Sequence, residues 1–411
     1  MKIAVIGLGK LGLPLAALLA NSGNKVTGYD QSDSLRNSIA SGSFVSKEPS
    51  LVELLSRARK NLEIVPSVFE AISSSEVVFI VVPTPSDESG HFSNKFLLKS
   101  LREIGDALRS KTTPTVIDIV STVMPGSCDS ELRDALEVSS NLKLGEKLGL
   151  CYNPEFIALG SVIKDMSEPD MHLIGASSKW AGDVVERALN SMVLKSVPCR
   201  RMSLIEAELV KISVNNFVTM KISFANTLMQ IAHKLGDLNI DTVTEAIGLD
   251  TRVGVKYLKA AMPYGGPCFP RDTRAFSALC NDLRIPGSLS EATEKINDSH
   301  FKYLLELIEN QNVKAVGILG ISYKIGTPVT EESPGLNLAK ELARSGYEVT
   351  TWDDEGAIFE EVFSHLVHAS SLEDFIDSSG FIVIARPQKN WSEIREKIRA
   401  SNKIYLDLWR Q

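Results

Sequence analysis

Residues 2–12 read KIAVIGLGKLG, and this stretch decides the fold of the N-terminal part of the chain. Its first five residues, Lys2 to Ile6, are apolar after the lysine and predict a short buried strand. The apolar stretch Leu13 to Ala20 predicts a helix directly after the glycines. A strand, a glycine-rich turn and a helix in this order predict an α/β unit, because glycine allows a tight turn and close helix-on-strand packing.

The same turn predicts a dinucleotide site, since a helix N-terminus favours the negative charge of a pyrophosphate. A second predicted strand, Lys25 to Tyr29, ends at Asp30, where an acid accepts hydrogen bonds from an adenosine ribose. An acid at this place favours NAD over NADP. A glycine-rich turn of another α/β unit is the alternative. The residues predicted to contact the dinucleotide here are Gly7, Gly9, Lys10, Leu11, Gly12 and Asp30.

Composition narrows the class of protein. The chain has 411 residues and a net charge of -7, without a long basic run, so no binding of nucleic acid is expected. No apolar segment is long enough to span a membrane, and the N-terminal stretch lacks the features of a signal peptide, which predicts a cytoplasmic protein. The five cysteines include no CxxC pair, and the histidines form no HExxH or HxxxH pattern. Neither disulfides nor a metal are therefore expected.

Strand and helix patterns alternate after Asp30 and predict a doubly wound parallel sheet with its ligand at the carboxyl ends of the strands. The expected strands are Val77 to Val82, Thr115 to Val120, Leu148 to Tyr152 and Met171 to Ile174. A segment without glycine or proline, from Ser203 to Leu235, predicts one long helix that ends at Gly236. Lys211 and Asn215 share a face of this helix and either converge on one ligand atom or are simply solvated.

The C-terminal part repeats the N-terminal pattern. Residues 342–353, LARSGYEVTTWD, mirror residues 19–30, LANSGNKVTGYD. The expected strand Lys314 to Leu319 is followed by the turn Gly320-Ile321-Ser322-Tyr323-Lys324, which carries a lysine in place of close-approach glycines. We therefore predict a second Rossmann-like half that binds a different anionic ligand.

Cys268 lies in the run YGGPCFPRD, residues 264–272, just before a predicted helix start with Pro270 at the first helical position. A thiol at a helix N-terminus is favoured as the thiolate and becomes nucleophilic. The alternative is a buried structural cysteine in a Gly/Pro loop. The sequence alone leaves both open at this point.

Together these motifs resemble the UDP-glucose/GDP-mannose dehydrogenase family across nearly the whole chain. Further elements that carry the resemblance are residues 121–126, STVMPG, residues 153–156, NPEF, residues 250–254, DTRVG, and the pairs Tyr323-Lys324 and Ser333-Pro334. The resemblance implies two Rossmann-like doubly wound parallel-sheet domains joined by a long central helix. It implies an NAD-binding domain over residues 1–198, a helical dimerisation domain over 199–300 and a sugar-nucleotide-binding domain over 301–411.

The resemblance further implies a four-electron oxidation of the C6 primary alcohol of a nucleotide sugar, UDP-glucose by default, through a thiohemiacetal and a thioester of Cys268. The catalytic residues implied are Cys268, Lys211, Asn215, Asp272, Glu155 and Thr122. Added contacts to NAD are implied for Thr84, Ser121, Thr122 and Arg271. Substrate contacts are implied for Phe156, Lys211, Asn215, Arg252, Tyr264, Gly265, Gly266, Tyr323 and Lys324. Arg252 matches an arginine that reaches the partner subunit's substrate, so a homodimer with shared sites is expected.

The sequence departs from the family pattern at Leu159, around the pair Met171-His172, at Arg271 and at Glu331. They alter residues expected to set substrate specificity and leave the catalytic set complete. A UDP-N-acetylhexosamine or a GDP-mannose 6-dehydrogenase therefore stays open as an alternative. A two-electron β-hydroxyacid dehydrogenase and a non-catalytic nucleotide-sugar or NAD sensor also stay open.

Overall fold

The computed structural model describes residues 1–236, 238–361 and 363–410. The chain divides into two compact units, Met1–Ser213 and Val214–Gln411. Within the described residues, the first unit contains an eight-stranded sheet of order β3-β2-β1-β4-β5-β6-β7-β8. Its strands are β1 (Lys2–Ile6), β2 (Lys25–Tyr29), β3 (Leu62–Ile64), β4 (Val77–Ile80), β5 (Thr115–Ile119), β6 (Leu148–Tyr152), β7 (His172–Ala176) and β8 (Cys199–Met202).

Helices cover both faces of this sheet, as in a doubly wound fold, and apolar side chains fill the layer on each side. A π-helical turn, Cys128–Leu132, precedes the sixth helix. The helices are α1 (Gly12–Asn21), α2 (Asp33–Ser41), α3 (Leu51–Ala58), α4 (Val68–Ile72), α5 (Lys95–Leu108), α6 (Arg133–Ser140), α7 (Val162–Ser167) and α8 (Lys179–Met192).

The strand pairing confirms the predicted Rossmann-like doubly wound sheet, but one pair departs from the expected parallel arrangement. Strands β1 to β6 are mutually parallel, β7 pairs antiparallel with β6, and β8 is parallel to β7. The sequence does not predict the short strands β3 and β8. Their side chains are only partly buried, so neither carries the apolar run that marks a buried strand.

The long helix expected from Ser203 to Leu235 is present as α9 (Leu204–Gly236). It begins in the first unit and ends in the second. Ser203 precedes it, and both its backbone N–H and its hydroxyl donate to the Glu206 carboxylate, at 2.8 and 2.6 Å. Such a capping arrangement satisfies polar groups at the first turn and defines where the helix starts.

The second unit contains a five-stranded, wholly parallel sheet of order β11-β10-β9-β12-β13 within its described residues. The strands are β9 (Ala315–Leu319), β10 (Glu348–Trp352), β11 (Leu366–His368), β12 (Phe381–Ile384) and β13 (Ile404–Asp407). The helices after α9 are α10 (Ile240–Leu249), α11 (Phe269–Asp282), α12 (Ser288–Glu309), α13 (Pro334–Arg344), α14 (Leu372–Ser378) and α15 (Trp391–Ala400).

The repeated sequence therefore corresponds to a repeated fold. The segment ending at Asp30 forms the end of α1 and all of β2, and the segment ending at Asp353 forms the end of α13 and all of β10. Two Rossmann-like halves are confirmed. Among the described residues, every helix is too short or too polar to cross a membrane.

Candidate active site

The glycine turn after β1 has the geometry that a dinucleotide requires. Gly7 has φ +92°, and a Cβ there would lie 2.1 Å from the Val81 carbonyl oxygen. A Cβ on Gly12 would lie 1.9 Å from the Gly7 carbonyl oxygen, so α1 packs directly against the turn. A Cβ on Gly9 would meet no described atom within 4 Å. Gly7 and Gly12 are thus required by the fold, whereas Gly9 faces open space beside a helix N-terminus.

Asp30 follows β2 and holds the glycine turn after β1 in place. Its Oδ2 accepts a hydrogen bond from the Leu8 backbone N–H at 2.8 Å, and its Oδ1 accepts one from the Ser32 N–H at 2.9 Å. A carboxylate has about four acceptor positions, so the half-buried Asp30 retains capacity for the hydroxyl groups of a ribose. The residues of this edge fit the adenosine and pyrophosphate parts of NAD.

Three hydroxyl residues expected near NAD are partly engaged in joining the loops after β4 and β5. The Thr84 hydroxyl donates to the Thr122 carbonyl oxygen at 2.7 Å. The Ser121 hydroxyl donates to the Val82 carbonyl at 2.6 Å and accepts from the Val82 N–H at 3.0 Å. Thr84 and Ser121 are buried, so their side chains hold the two loops together, while Thr122 is half-buried.

Glu155 and Lys211 lie together in the first unit. The Lys211 ammonium donates to the Glu155 backbone carbonyl at 2.6 Å and lies 4.7 Å from the centroid of the Phe156 ring. Lys211 is only 7% exposed, so water screens its charge little, and the charge interacts strongly with a group bound next to it. Burial raises the pKa of the Glu155 carboxyl to about 7, and the Lys211 charge opposes this rise. Glu155 therefore exchanges a proton near neutral pH.

Sequence reasoning missed Glu208, one turn before Lys211 on α9. Its fully buried carboxylate accepts hydrogen bonds from the backbone N–H groups of Gly126, at 2.5 Å, and Cys128, at 2.8 Å. It thereby ties α9 to the loop that begins with Ser121 and Thr122. The available signal was the spacing of three residues between Glu208 and Lys211, which places both on one face of the helix.

In the second unit, Cys268 immediately precedes α11, and its side chain is exposed. The thiol is not packed in the core, so the alternative of a buried structural cysteine is wrong. The helix begins at Phe269, which makes Pro270 its second residue; the expected first position is wrong by one residue. Proline fits either place, because the N–H groups of the first turn have no intrahelical acceptor.

One turn into α11, Asp272 is completely buried and joins two other expected site residues. Its Oδ2 accepts from the Asn215 amide Nδ2 at 2.6 Å, and its Oδ1 accepts from the Arg271 Nε at 3.1 Å. The Arg271 guanidinium also forms an ion pair with the same carboxylate, at 3.0 Å. Arg271, expected at NAD, thus contacts Asp272 in this structure. The Asn215 side chain is held in one orientation next to the helix that starts after Cys268.

The glycines before Cys268 are close to the turn after β9. A Cβ on Gly266 would lie 2.5 Å from the Tyr323 ring, and one on Gly265 would lie 2.3 Å from the Glu332 carbonyl oxygen. The Gly266 N–H donates to that same carbonyl at 2.9 Å. Lys324, next to Tyr323, is half-buried. The structure thus brings Gly265, Gly266, Tyr323 and the Cys268 loop together within the second unit.

Other expected substrate residues lie around this loop. The Tyr264 side chain is buried, and its backbone N–H donates to the Asn297 side chain at 2.8 Å. The Arg252 side chain is 87% exposed and pairs with Asp250 at 2.6 Å. Among the positions that depart from the family pattern, Leu159 packs against the core, His172 is buried in β7, and Glu331 is exposed.

Comparison with known sequences decides the family. The chain matches three domain descriptions: the UDP-glucose/GDP-mannose dehydrogenase family NAD binding domain over residues 1–193, central domain over 205–299, and UDP binding domain over 317–411. The chain belongs to this family. It is 30% identical to the GDP-mannose 6-dehydrogenase of Pseudomonas putida, over 99% of this chain and 96% of the relative.

Solved structures of similar proteins carry different substrate names. A UDP-glucose dehydrogenase from Pyrobaculum islandicum has a TM-score of 0.89 and 28% identity, covering 99% of this chain and 97% of its own. A UDP-D-ManNAc dehydrogenase from Pyrococcus horikoshii has a TM-score of 0.80 and 27% identity, covering 96% and 93%. The protein is therefore an NAD-dependent nucleotide-sugar 6-dehydrogenase, and its relatives act on more than one sugar.

Proposed function

We propose that this enzyme oxidises the C6 primary alcohol of UDP-glucose to the carboxylate in two consecutive steps, with Cys268 as the covalent nucleophile. The observation that carries the proposal is the exposed Cys268 directly before α11, one turn from the buried Asp272. A helix N-terminus favours the thiolate, which is the reactive form of the residue.

The thiol is needed because of the second oxidation. NAD, when bound, accepts a hydride in each of the two oxidations. The first converts the alcohol to an aldehyde, whose carbon must become tetrahedral before it can lose another hydride. Addition of the Cys268 sulfur to that carbon gives a thiohemiacetal, and its oxidation gives a thioester. Water then breaks the carbon–sulfur bond, so one alcohol, one water and two NAD⁺ give the carboxylate, two NADH and three protons.

Lys211 and Asn215 stabilise the oxygen that becomes negative in the tetrahedral states, by an ammonium charge and an amide N–H respectively. The support is their environment: Lys211 is almost completely buried, and the Asn215 amide is oriented by Asp272. Preorganised donors of this kind need little reorganisation when charge develops. Asp272 assists proton movement near Cys268.

Glu155 acts as the general base of thioester hydrolysis, with Thr122 holding the attacking water. A pKa of about 7 suits this role, because a base is most effective when its pKa lies near the working pH. Phe156 and the half-buried Tyr323 and Lys324 bind the substrate. Residues 1–198 bind NAD and residues 301–411 bind the nucleotide.

We also propose that residues 199–300 form a homodimer. Phe217, Phe224 and Ile231 follow one another at seven-residue spacing on α9 and are 58%, 49% and 47% exposed. Such a stripe of large apolar residues is typical of a helix that packs on a partner. The exposed Arg252 then reaches the substrate of the partner subunit.

The test is a Cys268→Ser variant, examined with UDP-glucose and NAD. We expect acid formation to be lost and UDP-glucose binding to be retained, since the hydroxyl is a far weaker nucleophile but occupies the same space. A Cys280→Ser variant, which changes a cysteine away from the loop, is the matched control and should keep normal turnover. Normal acid formation by Cys268→Ser would contradict the covalent route.

The sugar is tested by a panel of UDP-glucose, GDP-mannose and UDP-N-acetylmannosamine, with NADH production as the measurement. Preference for either of the last two would replace UDP-glucose and keep the reaction type. No turnover of any nucleotide sugar, with binding intact, would favour the non-catalytic sensor.

A further inference from the structure

A buried arginine stands at the ligand edge of the second Rossmann-like half. Arg386 follows β12, and its side chain is only 3% exposed. It contacts Asp353, which follows β10 and whose side chain is completely buried. In the first half the acid at the corresponding place is Asp30, whose carboxylate accepts hydrogen bonds only from backbone N–H groups within the described part of the chain.

The strand registers identify the residue of the first half that corresponds to Arg386. β4 pairs with β1 as β12 pairs with β9, and Ile80 and Ile384 are the last residues of β4 and β12. The chain then continues Val81-Val82-Pro83 in the first half and Ala385-Arg386-Pro387 in the second. Arg386 thus occupies the position of Val82. An apolar residue in the NAD half is matched by a cation in the nucleotide half.

The guanidinium connects three segments of the second half. Its Nε donates to the Ser322 hydroxyl at 2.7 Å, and its Nη2 donates to Asp353 Oδ1 at 2.9 Å and also to Asp354. Asp353 Oδ2 in turn accepts from the Ile321 N–H at 2.7 Å and the Ser322 N–H at 2.8 Å. Ser322 is therefore held through both its backbone and its side chain.

This network ends next to the residues expected to bind substrate. Ser322 is followed by Tyr323, whose ring lies against Gly266, two residues before Cys268. A second tie fixes the far side of the same loop: the Gly326 N–H donates to Glu355 Oε1 at 2.8 Å, and Lys389 pairs with Glu355. The segment between Ser322 and Gly326 is thus anchored at both ends by residues after β10 and β12.

We propose that Arg386 is a positioning residue for the sugar nucleotide: through Ser322 it fixes Tyr323 and Lys324 in the orientation that binds the substrate and supports the Cys268 loop. This rests on the proposed function, in which Tyr323 and Lys324 contact the substrate. A guanidinium suits the task because its planar fork bonds Ser322 and Asp353 at once, which a lysine cannot do with the same geometry.

The test compares Arg386→Lys with the wild-type enzyme. Lysine keeps the buried charge beside Asp353 and Asp354 and loses the fork. We expect the Kd for UDP, measured by calorimetry, and the KM for UDP-glucose to rise at least about tenfold, because small misplacements of binding groups weaken binding strongly. The KM for NAD should stay within about twofold, since the network lies in the other half. Arg399→Lys, on the exposed side of α15, is the matched control and should change neither.

Ser322→Ala is the second variant, and it keeps the test decisive if Arg386→Lys does not fold. Ser322→Ala should weaken UDP binding selectively, as Arg386→Lys does. The double variant should bind UDP little more weakly than either single variant, because both substitutions disrupt the same contact. Wild-type UDP binding in a folded variant, or an equal loss for UDP and NAD, would overturn the positioning role. If the wild-type enzyme itself neither binds UDP nor oxidises any of the three nucleotide sugars, the proposed function fails instead.

Discussion

The two Rossmann-like halves begin with the same local geometry. Gly7 and Gly320 have φ values of +92° and +93°. A Cβ on Gly12 would touch the Gly7 carbonyl oxygen, and a Cβ on Gly335 would lie 2.3 Å from that of Gly320. In each half the acid after the second strand accepts from the N–H of the residue after the first glycine, Leu8 or Ile321. These shared features belong to the fold.

The halves differ in what lies between these fixed points. Four residues separate Gly7 from Gly12, whereas fourteen separate Gly320 from Gly335, and the longer loop carries Tyr323 and Lys324. Asp30 retains acceptor capacity at the dinucleotide edge, while Asp353 is occupied by Arg386 and the loop. The ligand edges of the two halves thus differ in the length of the glycine loop and in one buried cation, Arg386.

The first sheet also extends further than the second. β13 ends the second sheet beside β12, whereas β6, β7 and β8 continue the first sheet beyond β5. Glu155 lies in the loop after β6, so the second half has no counterpart for it among its described residues. The carboxylate that we propose for hydrolysis therefore belongs to the part of the first half that the repeat does not include.

The largest expected effect is that of Glu155→Gln. Loss of a general base lowers a rate by about 10²- to 10⁴-fold, so the thioester on Cys268 should accumulate and be visible by intact-mass analysis during turnover. In the wild type, hydrolysis should rise with pH through about 7, because the deprotonated carboxylate is the active form. Absence of an adduct in the variant, or an unchanged pH limb, would contradict the assignment.

A smaller effect separates the two acids, Asp30 and Asp353. Asp353→Asn removes one of the two carboxylate charges that face the buried Arg386 guanidinium. Because Asp354 still pairs with Arg386, the substitution should cost about 2–3 kcal/mol of stability. Asp30→Asn should leave the unfolding transition nearly unchanged and raise the KM for NAD. Thermal unfolding and steady-state kinetics of both variants measure this. Equal destabilisation by the two substitutions would contradict a structural role for Asp353 and a ligand-binding role for Asp30.

The smallest effect concerns Asp118 in β5, whose strand position corresponds to Leu406 in β13. Asp118 is completely buried between Phe79 and Cys151 on the neighbouring strands, and neither carboxyl oxygen has a hydrogen-bond partner among the described residues. Burial, and then the Glu155 charge, raise its pKa. Asp118→Val should increase the unfolding free energy by about 1–3 kcal/mol at pH 7.

The sign of the pH dependence follows from the raised pKa of Asp118. The folded state holds the proton and the unfolded state releases it, so wild-type stability falls as pH rises above the ordinary range of an aspartate. The advantage of Asp118→Val should therefore grow as the pH rises above the ordinary range of an aspartate. Asp118→Asn, which removes the charge but keeps a polar group, is the control and should gain less. A lower melting temperature for Asp118→Val would contradict the account.

The sequence predicted features that depend on neighbouring residues. The glycine turn, the long helix and the repeat at Asp30 and Asp353 could be predicted, because each has a local period or spacing. Three other features could not be predicted from the sequence: the antiparallel pairing of β7, the hydrogen bond from Arg386 to Ser322, and the hydrogen bonds that Glu208 accepts. Those contacts join residues that are far apart in sequence. An arginine is usually exposed, so the burial of Arg386 becomes evident only from the strand pairing of the folded structure.

The most direct measurement of the central claim is the ratio of NADH formed to sugar consumed, with UDP-glucose limiting and the product identified by mass. The covalent route through Cys268 predicts two NADH per sugar and a carboxylate product. One NADH per sugar with an aldehyde product would contradict it and leave Cys268 without a catalytic role.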